Sequence, residues 1–188
     1  MGYLFQPLPA DLLNAEPPQL SPLEPDGGRE RRLTTVFLST VFAVPEFRDR
    51  VMQLVGAKSL GGKVEVFRDV RFRGEPDDAD GPEAIPDGLI RVKGPAGFSA
   101  IVEAKRQGFD AESAAHVRQM AKHLTVARER KLQRVVALAN TVPDQAFYAA
   151  VRGHALAPGV ERLRGITWME TVDVAFHVLD RKIVRNPV

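Results

Sequence analysis

The sequence contains no cysteine and no apolar run long enough to cross a membrane. It also lacks a basic start followed by an apolar signal core. The missing thiols exclude disulfide bonds, cysteine nucleophiles and thiolate zinc sites. Together these absences predict a soluble, cytoplasmic protein with no membrane partner.

Acidic and basic side chains almost balance, with a formal net charge of +2, but they are unevenly distributed. The segment from Glu75 to Asp87 holds six carboxylates and no base, whereas Lys105 to Arg134 holds eight Lys and Arg against three acids. A basic helix beside an acidic loop is compatible with contact to a phosphate backbone near a bound metal. A solvated surface with ordinary scatter of charge explains the same pattern, so charge alone leaves both interpretations open.

Proline and the spacing of apolar residues divide the chain into two parts. Residues 1–28 hold six prolines and few large apolar side chains in any period, which predicts an extended proline-rich arm. Residues 29–188 suit one domain, since 44% hydrophobic content is enough to bury a core. From Glu30 the apolar spacing predicts two helices, or one helix broken at Pro45.

The remaining pattern predicts an α/β domain. Alternating apolar positions favour a meander of three antiparallel strands, at residues 63–72, 87–92 and 98–105. Asp110 is predicted to cap a helix that runs to about Arg130. Leu132 to Ala139 reads as a buried strand, and because a long helix precedes it we expect it to lie parallel to its neighbour. A helix near 144–152, a short strand near 166–168 and a closing helix complete the prediction.

Three charged residues lie where two neighbouring predicted strands begin and end. Asp87 opens the second strand, and Glu103 and Lys105 share one face of the third because alternate side chains point the same way. The turn at 94–97 folds these strands together, so a register that brings the Asp87 carboxylate near Glu103 is available. Two carboxylates and a lysine make a hard-cation site of the kind that magnesium takes. The simpler alternative is an exposed cross-strand ion pair with a turn aspartate.

Pro86-Asp87, fifteen intervening residues and Glu103-Ala104-Lys105 resemble the signature of the PD-(D/E)xK nuclease superfamily, which has the restriction-endonuclease-like fold. The resemblance covers about Glu30 to Ala139, in the order helix, three strands, helix, strand. It implies a nuclease that hydrolyses phosphodiester bonds, with DNA as the expected substrate. It also implies Mg²⁺ or Mn²⁺ as cofactor and products with a 5′-phosphate and a 3′-hydroxyl.

The resemblance also implies a role for each residue of the signature. Asp87 and Glu103 would ligate the metal, and the backbone carbonyl of Ala104 would add a ligand. Lys105 would position or deprotonate the attacking water and offset the charge that develops on the phosphorane.

Two weaker matches extend the candidate catalytic set. Glu30 matches an acidic residue that many of these nucleases carry on their first core helix, and Glu46 competes for the same place. Gln119 matches a glutamine on the helix after the lysine strand, where His123 stands at a position that is often tyrosine. With His116, these two residues form a helical stripe, which would line a phosphate path or form a solvated polar face.

The basic helix supplies the candidate nucleic-acid contacts Arg118, Lys122 and Arg128. Since 188 residues leave no separate recognition domain, tight sequence specificity would need a homodimer or a partner protein. Two alternatives stay open from sequence. One is a catalytically inactive nuclease-fold module that binds nucleic acid or a protein partner. The other is an unrelated small α/β interaction domain whose three charges are incidental.

Overall fold

One mixed sheet of six strands runs through the protein, and its strands are adjacent in chain order. This computed structural model describes residues 9–16, 28–57, 62–73, 85–94, 97–154 and 159–185. The strands are β1 (Leu12–Glu16), β2 (Lys63–Phe72), β3 (Gly88–Lys93), β4 (Phe98–Ala104), β5 (Arg134–Ala139) and β6 (Leu163–Thr167). The helices are α1 (Arg29–Ala43), α2 (Pro45–Leu54), α3 (Ala114–Glu129), α4 (Gln145–Gly153) and α5 (Trp168–Arg185).

The sheet changes from antiparallel to parallel at β4. Strands β2, β3 and β4 form an antiparallel meander, whereas β4, β5 and β6 run parallel. The helix α3 makes the crossover that a parallel β4–β5 pair requires. The predicted α/β core of helix, three-strand meander, helix and strand is therefore confirmed, in the order of a restriction-endonuclease-like core with further helices towards the C-terminus.

Helices cover both faces of the sheet and give the protein two hydrophobic cores. The first core lies under α1, α2 and α5, and Val102 of β4 belongs to it. The second lies under α3 and α4, and the neighbouring residue Ile101 belongs to it. Because β3, β4 and β5 are apolar on both faces, their ends are surrounded by packed side chains. Where β3 begins and β4 ends, the polar residues Asp87, Glu103 and Lys105 are buried or half-buried.

Helix boundaries follow local capping chemistry. The predicted break near Pro45 is confirmed: Val44 is extended, and Pro45 takes the first position of α2, where its missing amide costs no hydrogen bond. Asp144 caps α4 by accepting from the amide of Phe147 at 2.7 Å. The predicted cap of α3 at Asp110 is wrong. Ser113 caps that helix, since its side chain accepts from the amide of His116. The Asp110 side chain instead accepts from the amide of Glu112, in the turn before the helix.

Part of the predicted arm is a strand of the sheet. Strand β1 pairs antiparallel with β2 at the edge, through an irregular register. Leu12 is fully buried, and Arg91 of β3 donates to the carboxylate of Asp11 at 3.0 Å. That hydrogen bond and the charge of Arg91 hold the pKa of Asp11 below its usual value. Residues 1–8 and 17–27 of the arm, like the acidic loop over 74–84, lie outside the described residues.

The end of the chain differs in detail from the prediction. The short strand predicted near 166–168 is β6, which ends at Thr167, so Trp168 begins α5 and is not part of the strand. Its indole lies near the end of β4, which matters for the site described below. None of the described helices is long and apolar enough to span a membrane.

Candidate active site

The register of β3 and β4 brings Asp87 beside Glu103. Gly88 pairs with Val102, so the preceding residue Asp87 lies across from Glu103, where β3 begins and β4 ends. The backbone amide of Ala104 donates to Asp87 Oδ2 at 2.8 Å and fixes that carboxyl group. The two acidic side chains are thus held together by the strand pairing itself.

Helix α1 approaches the same end of the sheet closely. A Cβ atom on Gly88 would come within 2.8 Å of a Leu38 methyl group, so a larger residue at position 88 would require the Leu38 side chain to move. The approach brings Glu30, in the first turn of α1, to the end of β4. Glu30 Oε2 accepts from the amide of Arg106 at 2.9 Å, and Oε1 lies 3.7 Å from Lys105 Nζ.

Both oxygens of Glu103 are engaged, although its side chain is only 1% exposed. Lys105 Nζ lies 2.8 Å from Oε1, and His123 Nε2 lies 2.9 Å from Oε2. Burial alone would raise the pKa of Glu103, but the hydrogen bond with His123, together with the charge of Lys105, outweighs it. The pKa of Glu103 therefore lies below its usual value, and its carboxylate is ionised.

Asp87 has the opposite shift. Burial, and after it the charge of Glu103, raise the pKa of Asp87 from 3.8 to about 8, against the lowering effect of the Ala104 amide. Two adjacent carboxyl groups with divergent pKa values form a site in which a second negative charge is costly. A cation at this position would remove that cost.

The ammonium of Lys105 is held in its charged form. Burial opposes the charge, but Glu103, Asp87 and Glu30 outweigh it and raise the pKa of Lys105 above its usual value. Two hydrogen bonds hold the backbone of Lys105 in place. Its amide donates to Leu138 O at 2.8 Å, and the side-chain Nε1 of Trp168 donates to its carbonyl at 3.0 Å. Lys105 therefore points a permanent positive charge into the site.

Of the two competing acidic residues, Glu30 reaches the site. Glu46 is exposed in the first turn of α2, whereas Glu30 contacts Lys105 and the Arg106 amide. Gln119 is half-buried on α3. Its neighbour His116 is occupied elsewhere, since its Nδ1 accepts from the amide of Asp110 at 3.1 Å.

His123 is the residue whose position the sequence did not predict. It lies neither on a solvated face nor on a phosphate path, because its side chain is fully buried against Glu103. One signal was present: His123 is three residues after Met120 and next to Leu124, at the edge of the buried stripe of α3. Nothing local in the sequence links it to a glutamate twenty residues earlier.

The candidate nucleic-acid contacts lie on α3. Arg118 and Arg128 are exposed, and Lys122 is half-buried. Arg118 and Lys122 are one turn apart and share a side of the helix, whereas Arg128 lies in its last turn. Two of the three cations are thus open to a ligand from solvent.

The donor set fits a hard divalent cation. No group of three or more His, Asp or Glu side chains in the described part of the chain is arranged to hold a metal. The predicted set does not need such a group, because it consists of two carboxylates and the Ala104 carbonyl. Magnesium takes oxygen ligands of this kind and keeps several of its waters. A cation bound beside Asp87 and Glu103 would offset the charge of Glu103, which helps to raise the pKa of Asp87.

Among known proteins, the chain shows a weak likeness to a solved structure. No family model and no curated protein matches the chain. One similar solved structure is the small subunit of the heterodimeric restriction endonuclease R.BspD6I, with a TM-score of 0.37 and 12% identity, over 72% of this chain and 70% of that one. A likeness at this level carries no argument about function, which therefore rests on the site.

Proposed function

We propose that the protein is a metal-dependent nuclease that hydrolyses phosphodiester bonds of DNA. One observation carries the proposal: Asp87, Glu103 and Lys105 converge where β3 begins and β4 ends, and Glu30 reaches them from α1. The charges are partly or fully buried, which an incidental surface ion pair would not be.

Asp87, Glu103 and the Ala104 carbonyl are the groups that would hold Mg²⁺ or Mn²⁺. When bound, such an ion supplies Lewis-acid polarisation of a phosphoryl oxygen and an acidified water. Ligation would require Asp87 to lose its proton, which a neighbouring divalent charge favours.

Lys105 would stabilise the negative charge that develops on the phosphorane and orient the attacking water. Its raised pKa favours this electrostatic role over deprotonation of water by the free amine. Glu30 would keep the ammonium in place, and the indole of Trp168 would fix the backbone from which it projects. The next cation, Arg106, follows the end of the strand and cannot readily give up a proton, so it offers no substitute.

DNA would reach this site along α3. Arg118, Lys122 and Arg128 give the helix positive charge that can contact phosphates without reading sequence. Half-buried Gln119 lies between Arg118 and the buried His123, on the same helix that supports Glu103. The substrate class, the cation and the products all follow the resemblance of the Asp87 and Glu103-Ala104-Lys105 signature.

A cleavage assay tests the proposal. Purified protein is incubated with plasmid, linear duplex, single-stranded DNA and RNA, in Mg²⁺, Mn²⁺, Ca²⁺ or EDTA. We expect cleavage of DNA in Mg²⁺ or Mn²⁺, none in EDTA, and products that a ligase can rejoin through their 5′-phosphates. Folded protein that binds DNA but cleaves no substrate in either cation would contradict the proposal and favour an inactive binding module.

A further inference from the structure

We propose that His123 is a positioning residue, which holds Glu103 Oε2 so that Oε1 is the oxygen left for a cation. The inference rests on the proposed function and names a residue outside its signature. It starts from the different surroundings of the two oxygens. Oε2 faces the interior, where His123 Nε2 lies at 2.9 Å and its side chain is 0% exposed. Oε1 faces Lys105, whose side chain is 20% exposed.

The hydrogen-bonding capacity of the imidazole fixes the direction of its hydrogen bond. Nδ1 of His123 is buried and has no hydrogen-bond partner among the described residues. A hydrogen on Nδ1 would be an unpaired buried donor, which costs more than an unused lone pair. The hydrogen therefore belongs on Nε2, from which it is donated to Glu103 Oε2. Met120 and Leu124, on the same helix, are fully buried as well.

A donor on Oε2 limits what the carboxylate can do. Rotation of Glu103 would break the His123 bond and leave a buried oxygen unpaired, so the group keeps one orientation. Oε1 is then the oxygen open to exchange, and Lys105 is the group that occupies it. Glu30 Oε1, at 3.7 Å, is a second acceptor within reach of the displaced ammonium. Carboxylate ligands are commonly held by such outer hydrogen bonds, and their loss weakens metal affinity.

Three substitutions of His123 distinguish the effect of its hydrogen bond to Glu103 from the effect of its packing. In His123→Gln, the side-chain amide nitrogen extends as far as Nε2 and can donate to Oε2. His123→Asn is polar but too short to reach, and His123→Leu keeps volume without a donor. His116→Gln, on the same helix but bonded to the Asp110 amide, is the matched control. Mn²⁺ affinity is measured by calorimetry on the full chain, with thermal melting and the kinetics of DNA cleavage alongside.

We expect His123→Asn and His123→Leu to weaken Mn²⁺ binding by roughly 10- to 100-fold. His123→Gln should retain affinity within a few-fold, and His116→Gln should match the wild type. If His123→Leu does not fold, the comparison of the Gln and Asn variants decides the question.

The two proposals fail in different ways. Wild-type Mn²⁺ affinity in His123→Asn or His123→Leu, in a protein that binds Mn²⁺ and cleaves DNA, would overturn the positioning role alone. Equal weakening in the Gln and Asn variants would also overturn it, because a merely structural histidine predicts no rescue. A wild-type protein that binds no Mn²⁺ and cleaves nothing would overturn the proposed function as well.

Discussion

Asp87 lies directly across the β3–β4 pair from Glu103, yet the two carboxyl groups differ in what compensates their charge. Glu103 has Lys105 on one oxygen and His123 on the other. Asp87 accepts one hydrogen bond from the Ala104 amide, and burial beside Glu103 raises its pKa to about 8. Glu103 is therefore ionised at neutral pH. Asp87 becomes ionised only when a cation binds beside it or when the pH is high.

This difference predicts the effect of pH on the cation-free protein. The folded pKa of Asp87, about 8, exceeds its unfolded value of 3.8, so the native state binds more protons between these limits. Stability from this group is fully present below about pH 4 and falls as pH rises towards 8. Asp87→Asn removes that loss, and we expect it to be more stable than the wild type at pH 8.5 by at least about 1 kcal/mol. At pH 5 the difference should be much smaller.

Urea denaturation in EDTA at the two pH values measures this effect. Asp144→Asn is the control, because asparagine is also a good helix cap and the Asp144 side chain accepts from the Phe147 amide at the start of α4. An Asp87→Asn variant whose stability follows the same pH dependence as the wild type would show that Asp87 is not under this electrostatic stress.

A second pair of substitutions tests whether Glu30 or Glu46 supports the candidate site. Glu30→Gln keeps an acceptor for the Arg106 amide but removes the charge near Lys105. We expect it to lower the rate of DNA cleavage roughly 10-fold or more, with a change in stability within about 1 kcal/mol. Glu46→Gln, at an exposed position on α2, should cleave like the wild type. The reverse order of the two rates would assign the supporting role to Glu46.

Strand β1 should matter for folding although it lies in the proline-rich arm. Leu12 is fully buried in the second core, so Leu12→Ala should lower the free energy of unfolding by about 2–4 kcal/mol. Leu33→Ala, at a 42% exposed position of α1, is the matched control and should change it by less than about 1 kcal/mol. Chemical denaturation measures both. An unaffected Leu12→Ala variant would mean that the edge strand contributes nothing to the fold in solution.

The basic helix gives a prediction about salt. Arg118→Gln and Arg128→Gln should each weaken DNA binding similarly for unrelated sequences and reduce the slope of log affinity against log salt by about 1. Arg50→Gln, on α2 across the sheet, is the control. Binding is measured in EDTA so that no cleavage occurs. If the slope stays at the wild-type value in both α3 variants, these arginines do not contact DNA phosphates.

Much of the fold could be predicted because its signals are local. Alternation of apolar residues marks β2 to β4, and the long helix before β5 indicates the parallel pairing that the structure has. Only a short turn joins β3 to β4, and because register follows from a short turn, the meeting of Asp87 and Glu103 was also predictable in outline.

Two features that the sequence did not predict, strand β1 and the position of His123, depend on partners distant in sequence. Strand β1 is short, follows prolines and pairs with β2 through an irregular register, so its own residues show no clean alternation. In the sequence, His123 is one polar residue among others on a helix with both polar and apolar residues. Only the fold shows that it contacts Glu103. The third difference is local: Asp110 accepts from the Glu112 amide in an Asx turn, and Asx turns and helix caps use the same residue types.

The most direct test of the proposed nuclease is the comparison of Lys105→Ala with Lys93→Ala. Both lysines pair with a buried glutamate, Lys105 with Glu103 at 2.8 Å and Lys93 with Glu65 at 2.6 Å, but only Lys105 lies at the candidate site. We expect Lys105→Ala to lose DNA cleavage by about 100-fold or more and to keep Mn²⁺ binding, because an ammonium is not a ligand. Lys93→Ala should cleave like the wild type. Wild-type cleavage by folded, contaminant-free Lys105→Ala would contradict the account.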